Sequence, residues 1–353
     1  MPRCILFLLL PLAAAAQPQP AAPAAAPTAS KAKTEAAAEL TPEQRVTQFR
    51  RDEINLLALR ADAPALLAAA VLAVPDANDA HRPAALKPPA LLARAQAAAP
   101  DDVRVWWVTA GVDCHATDQP CPQTETLQKL ENLDAQNAAV WLLSLLRAER
   151  AKDAPAARAA LTSAAQAPRF DDYFGKLLAL IVAGERILPV GDEVIRASGQ
   201  LNASDEGYRL ITAAGAAAAI LPPVREALTG ACRDAAKDKD LAADCLTVAK
   251  KLAVAGSLGA QNFGIRQWLA WLPADADTAA AKAAQRALAW HALRIGDLAE
   301  RLADDPDVTR VYLQALDDTG TETGAVYAVL RSQGVALEPP ADWQPPADGV
   351  AVP

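Results

Sequence analysis

The chain has 353 residues, 52% of them hydrophobic, and a formal charge of −8 from 42 acidic and 34 basic residues. That is enough apolar material for one large core or a row of smaller ones. No run of lysine or arginine forms the basic stripe that a nucleic-acid surface requires.

The chain opens MPRCILFLLLPLAAAAQPQP. Arg3 supplies a short positive region, residues 5–12 an apolar one, and Ala14 and Ala16 the small residues of an A-x-A cleavage site. This reads as a secretory signal peptide over residues 1–16, cut before Gln17, and predicts an exported, periplasmic or secreted protein. The apolar run is far shorter than the roughly 20 residues a spanning helix needs, and no later segment is both long and apolar enough. Lipid anchoring would call for a cysteine after the apolar region, whereas Cys4 precedes it. Residues 17–40, QPQPAAPAAAPTASKAKTEAAAEL, offer too little apolar surface to offset their ordering entropy and are expected to form a disordered Ala/Pro-rich tether.

Order is expected from TPEQ onward, with Thr41 as N-cap, Pro42 at the first helical position and Gln44 closing a capping box. From there a single grammar recurs. A cap of Asp, Asn, Ser or Thr opens an Ala- and Leu-rich run, and a Pro, Gly or Asp cluster ends it. This predicts helices at 42–60, 64–73, 88–98, 102–112, 124–132, 138–151, 155–166, 171–184, 204–220, 223–236, 240–255, 258–272, 277–302, 306–317 and 322–333, the long 277–302 run breaking near Gly296. No segment alternates at period two in β-branched or aromatic residues, so no strand is expected. The all-α domain spans 41–334 and a Pro-rich tail follows over 335–353.

Cys114, Cys121, Cys232 and Cys245 remain after the signal, an even number that suits disulfides in an oxidising compartment. VDCHATDQPCP, residues 112–122, could be read as a metal site, but Cys114 and His115 are adjacent, which suits one ion poorly, and a fourth ligand is missing. A Cys114–Cys121 bridge closing the loop is the simpler reading. Cys232 and Cys245 lie equally far from the turn at 237–240, so their sulfurs are expected to meet across a helical hairpin. His81, His115 and His291 form no metal spacing, and there is no nucleophile elbow, Walker loop or dinucleotide fingerprint. We therefore expect no catalytic residue, no metal and no cofactor. The acidic pairs at 101–102, 171–172, 304–305 and 317–318 read as caps and turns, and Ser257 as the N-cap of the helix after AGSLG. Trp106 and Trp107 are adjacent and cannot both face inward. Trp107 is a candidate for a binding surface, as is Trp343 in the tail, which could dock on the domain or on a partner.

APDDVRVWW (99–107) and LDAQNAAVWLL (133–143) repeat one pattern, with Asp102 and Asn137 four positions before Trp106 and Trp141 and a valine before each tryptophan. From Ala138 the chain resembles one degenerate unit of the tetratricopeptide-repeat family. Trp141 stands at the early Trp position, Ala157, Leu161 and Ala164 at the small, bulky and small positions of the second helix, and Pro168 one residue short of the closing proline. Ser144, Leu145 and Ala148 depart where the family has Leu-Gly and Tyr. The resemblance implies an irregular α-α superhelix of about 14 to 15 helices, with a closed all-helical domain as the alternative. It also implies a binding or scaffold role toward a protein, peptide or cell-envelope component. The second functional reading is a helical periplasmic hydrolase or lyase acting on envelope polymers, its acidic and histidine residues converging in a groove.

Overall fold

The computed structural model describes residues 40–75, 82–116, 121–273 and 275–346, the side chains of residues 115 and 116 excepted. The expected signal peptide, the tether up to residue 39, His81, the His115 side chain and the end of the tail lie outside the described residues. Those described residues are all-helical, with a single isolated bridge between Asn137 and Arg169 in place of any strand.

The first seven helices are α1 (Pro42–Leu59), α2 (Ala63–Ala73), α3 (Pro88–Ala98), α4 (Val103–Ala116), α5 (Thr124–Asp134), α6 (Ala138–Ala151) and α7 (Ala154–Gln166). From α1 to α6 each packs on the next in sequence. There follow α8 (Phe174–Glu185), α9 (Asp192–Ala197), α10 (Asp205–Ala219), α11 (Val224–Ala231) and α12 (Lys239–Leu252). The last five are α13 (Leu258–Trp271), α14 (Ala279–Asp297), α15 (Ala299–Asp304), α16 (Pro306–Thr319) and α17 (Glu322–Ser332). The array folds back on itself, because α8 packs on α2, α11 on α6, α12 on α7 and α15 on α10. The last of these approaches is close. A Cβ at Gly207 in the first turn of α10 would stand 1.9 Å from the Ala303 carbonyl oxygen, which also accepts from the Ser204 N–H and hydroxyl.

Local chemistry sets the boundaries. Thr41 and Gln44 form the reciprocal capping box that starts α1. Helix α8 starts at 174 rather than 171, because Asp171 and Asp172 turn their carboxylates onto the Tyr173 and Phe174 N–H groups and Tyr173 takes a left-handed φ of 56°. The run predicted as 277–302 breaks between Asp297 and Ala299. The unpredicted α9 is six residues long and buries only Val194 and Ile195, in a small cluster with Phe49 and Tyr208. Both expected cysteine pairs are bonded, Cys114 to Cys121 and Cys232 to Cys245.

The repeated tryptophan pattern is a repeated geometry. Asp102 and Asn137 each accept from the N–H two residues on, at 3.0 and 3.1 Å. Trp106 and Trp141 each donate the indole N–H to a carbonyl six residues back, Pro100 and Ala135, both at 2.7 Å. In both copies one turn of helix is thereby pinned to the loop that enters it.

At Asn137 the copy carries more. This side chain is wholly buried. Its Nδ2 donates to Asp134 Oδ2 at 3.0 Å, to the Asp171 carbonyl at 2.8 Å and to the Tyr173 hydroxyl at 3.3 Å, while Oδ1 also accepts from the Asp171 N–H at 2.9 Å. The Tyr173 hydroxyl and the Arg169 guanidinium both donate to Asp134. The α6–α7 hairpin is thus closed by one amide joining the residue before α6 to the corner before α8.

A second buried polar group is far less well served. Glu53 on α1 and Glu185 at the end of α8 are 1% and 0% exposed. None of their four carboxyl oxygens has a hydrogen-bond donor. Arg50 lies 3.4 Å from Glu53 in an ion pair. Arg209 gives its donors to the Glu185 and Leu188 carbonyls and to Glu206. Burial pushes the Glu53 carboxyl up to about 7, against the pull of Arg50 and Arg209. Burial together with the neighbouring Glu53 pushes Glu185 up to about 9. Desolvation of the charged form outweighs the nearby arginines.

Two outcomes follow from these clusters. Asn137→Ala strands the Asp171 and Ala139 N–H groups and should cost about 3 kcal/mol in urea unfolding at neutral pH. Asn137→Asp, which keeps an acceptor but sets a second charge beside Asp134, should not rescue it. A carboxyl whose pKa is raised on folding stabilises the folded state fully below its unfolded value, and that contribution is lost as pH rises through the folded value. Stability should therefore fall between about pH 5 and pH 9. Glu185→Gln should flatten that fall, leaving stability near wild type at about pH 5 and exceeding it by about 1.4 kcal/mol or more near pH 9. Equal pH slopes for the two proteins in chemical denaturation would refute a buried proton on Glu185.

Candidate functional site

A cleft of about 540 Å3 opens where α8, α10, α11, α13 and α17 meet. Three local features build it. Leu221-Pro222-Pro223 stops α10, because proline cannot supply the helical N–H, and Pro223 caps α11, leaving Arg225 and Glu226 exposed at the mouth. Gly256 lets the α13 entry press against α17, since a Cβ there would fall 2.8 Å from Thr321 Cγ2, and the Thr323 N–H donates to the Gly256 carbonyl at 3.1 Å. Ser257 caps α13 as expected. The walls are apolar, from Phe174, Ala214, Ala218, Leu221 and Pro222. A smaller chamber of about 30 Å3 adjoins it, sharing Leu221, Pro222 and Arg225 and reaching Trp107, Phe170 and Asp172.

The polar lining comes from Arg225, Glu226, Ser257 and Glu322. Glu322, in the first turn of α17, reaches across to accept from the Leu258 N–H in the first turn of α13 at 2.7 Å. A carboxylate in that position is favoured by the helix dipole. Ser257 donates its hydroxyl to Asp172 Oδ2 at 2.5 Å and accepts from the Ala260 N–H at 3.3 Å, so it caps its own helix and ties α13 to the corner before α8. Arg225 lies over the Phe263 ring, 5.9 Å from its centroid, and against Gly259, where a Cβ would be 2.8 Å from the guanidinium.

Burial raises both carboxyls. Glu322 is pushed up to about 7, the Leu258 N–H pulling it back and Asp172 raising it further. Asp172 also rises through desolvation, opposed by the Ser257 hydroxyl and the Phe174 N–H. Glu322 thus sits at a pKa from which it can accept or give up a proton near neutrality. Asp172 makes the turn contact that the sequence predicts, Oδ1 accepting from the Phe174 N–H, while its Oδ2 holds Ser257. A second groove, of about 330 Å3 beside α1, α2 and α8, carries Arg60, Arg104 and Lys176. These three are paired with Asp62, Asp102 and Asp171, respectively.

The residues singled out from sequence are not brought together here. The four cysteines are spent in the two bridges. Trp107, a candidate binding surface, is corrected to a core residue, 1% exposed and tilted against the Tyr173 ring at 5.2 Å, because its face of α4 points at the interior while Trp106 takes the outer one. Trp343 docks back onto the domain, 5.3 Å from Trp290. His291 is buried on α14, and its pKa is lowered by that burial. Among the described residues no three His, Cys, Asp or Glu side chains are grouped to hold a metal ion, and no helix is long and apolar enough to cross a membrane. Asp172, Arg225 and Glu322 carry no motif, being separated by 53 and 97 residues. The only signal for Arg225 is the Pro-Pro break that precedes it. The chain matches no family model, no curated protein and no solved structure.

Proposed function

We propose that the protein is an exported, periplasmic binding protein whose ligand seats in the cleft between α8, α10, α11, α13 and α17. One observation carries this reading: the cleft combines a volume of about 540 Å3 with apolar walls and a few polar groups, Arg225, Glu226, Ser257 and Glu322. That combination suits a compact ligand with an apolar body and one polar end, such as a short peptide or a fragment of an envelope component. The signal-peptide pattern and the two disulfides support export into an oxidising compartment.

A second reading, a hydrolase or lyase acting on envelope polymers, is favoured by two carboxyls raised by burial, Glu322 lining the cleft and Asp172 lining the adjoining chamber. There Glu322 would move a proton and Asp172 would hold Ser257 in place.

Ala218 is an exposed wall residue, so Ala218→Trp should plug the cleft without disturbing the core. Native mass spectrometry of protein recovered from an exporting host should show a small-molecule or peptide adduct on the wild type that is absent from Ala218→Trp. Adducts of equal occupancy on both proteins would place the ligand elsewhere. Glu322→Gln separates the two readings. It should retain the adduct if the site only binds. Under the enzyme reading it should lower turnover of peptide or glycan substrates by 100-fold or more, on the order of the loss of a general acid or base.

A further inference from the structure

The tail forms a strap across α14. At the end of α17, Gly334 takes a left-handed φ of 71° and the Val335 N–H returns to the Leu330 carbonyl, which sends the chain toward α14. From there Val335, Leu337 and Pro339 are half-buried while Ala336, Glu338 and Pro340 are exposed, the alternation of an extended segment. Four hydrogen bonds join strap to helix. Trp290 Nε1 donates to the Ala336 carbonyl at 2.7 Å, and His291 Nε2 to the Leu337 carbonyl at 2.8 Å. Arg286 donates to the Pro340 carbonyl and, through Nε, to the Trp343 carbonyl at 2.9 Å. A carbonyl can only accept, so His291 carries its proton on Nε2. Trp343 closes the far end, edge-on to Trp290 at 5.3 Å and under Arg286 at 5.8 Å.

In all four bonds α14 donates and a backbone carbonyl of the strap accepts. The strap N–H groups that are bonded, on Val335 and Trp343, pair within α17 and the tail. A row of donors without acceptors suits a particular class of peptide. Proline has no N–H to leave unpaired, its carbonyl is an ordinary acceptor, and a proline-rich segment is already extended before it binds. The tail meets that description, with Pro339 and Pro340 between the first two contacts and Trp343 and Pro345 and Pro346 after it. Because the contacts are to backbone, the groove would accept other sequences of the same kind. Aromatic and cationic side chains beside such a segment follow a known mode of recognition.

We propose that the Arg286–Trp290–His291 edge of α14 is a docking groove for extended proline-rich segments of another protein, and that the tail is its internal occupant, which such a partner must displace. The groove is separate from the cleft assigned above and does not rest on that assignment.

The test uses the full chain and two fluorescein-labelled peptides. One is residues 335–349, VALEPPADWQPPADG. In the other, alanine replaces its four prolines. The variant Trp343→Ala with Pro340→Gly loosens the strap and leaves α14 intact. By fluorescence polarisation it should bind the proline peptide roughly tenfold or more tightly than the wild type, whose tethered strap competes at high local concentration. The alanine peptide should bind at least about fivefold more weakly than the proline peptide, and Arg286→Ala in the loosened chain should abolish binding of both. Ala218→Trp in the cleft should leave peptide binding unchanged, so a failed cleft and a failed groove are told apart. Equal affinity of wild type and loosened chain, no binding to the loosened chain, or equal affinity for the two peptides would each overturn the proposal. A loosened chain that instead forms dimers by light scattering would assign the groove to a second copy and overturn it as well.

Discussion

The amide of Asn137 is a single buried group that joins three parts of the fold. It caps α6, holds Asp134 in place and grips both backbone groups of Asp171, so the corner at 171–173 is set by contacts made more than thirty residues earlier. That corner aims Asp172 at Ser257, and Ser257 in turn starts α13. The first turn of α13 then receives Glu322 from α17. The polar lining of the cleft is therefore tied to Asn137 through successive hydrogen bonds joined by short stretches of backbone. Buried polar groups joined in this way specify one arrangement strongly, because breaking any link leaves a donor or acceptor away from water.

The carboxyls at Glu53 and Glu185 follow the opposite rule. They are as deeply buried as Asn137, yet no hydrogen bond meets their oxygens: Arg209 gives its donors to other groups, and Arg50 approaches Glu53 only as an ion pair at 3.4 Å. Replacing such groups with apolar ones is often neutral or stabilising.

Much of the helical order was legible because it is local. The caps at Thr41, Ser257 and Asp305 and the two cysteine pairs are read from residues within a turn or a hairpin of one another. The Trp106 and Trp141 repeat was visible as spacing and is realised as a shared indole-to-carbonyl bond. The cleft was not legible. A caps-and-turns reading accounts for Asp172 through one oxygen, and nothing within a helix period reveals what the other touches. Glu322 likewise reads as an ordinary acidic first-turn residue, while its partner is the start of a different helix. Helix α9 escaped because two apolar residues are too few to set a period, and Trp107 because adjacency with Trp106 shows that only one faces inward without showing which.

The raised carboxyls also bear on the protein's charge. The formal value of −8 counts every aspartate and glutamate as ionised. In the folded chain Glu185 keeps its proton near neutrality, and Glu53 and Glu322 hold theirs part of the time. Folding at neutral pH therefore draws protons from the solvent, and the native molecule migrates as a weaker anion than the same chain unfolded. Its isoelectric point is a property of the fold as well as of the composition.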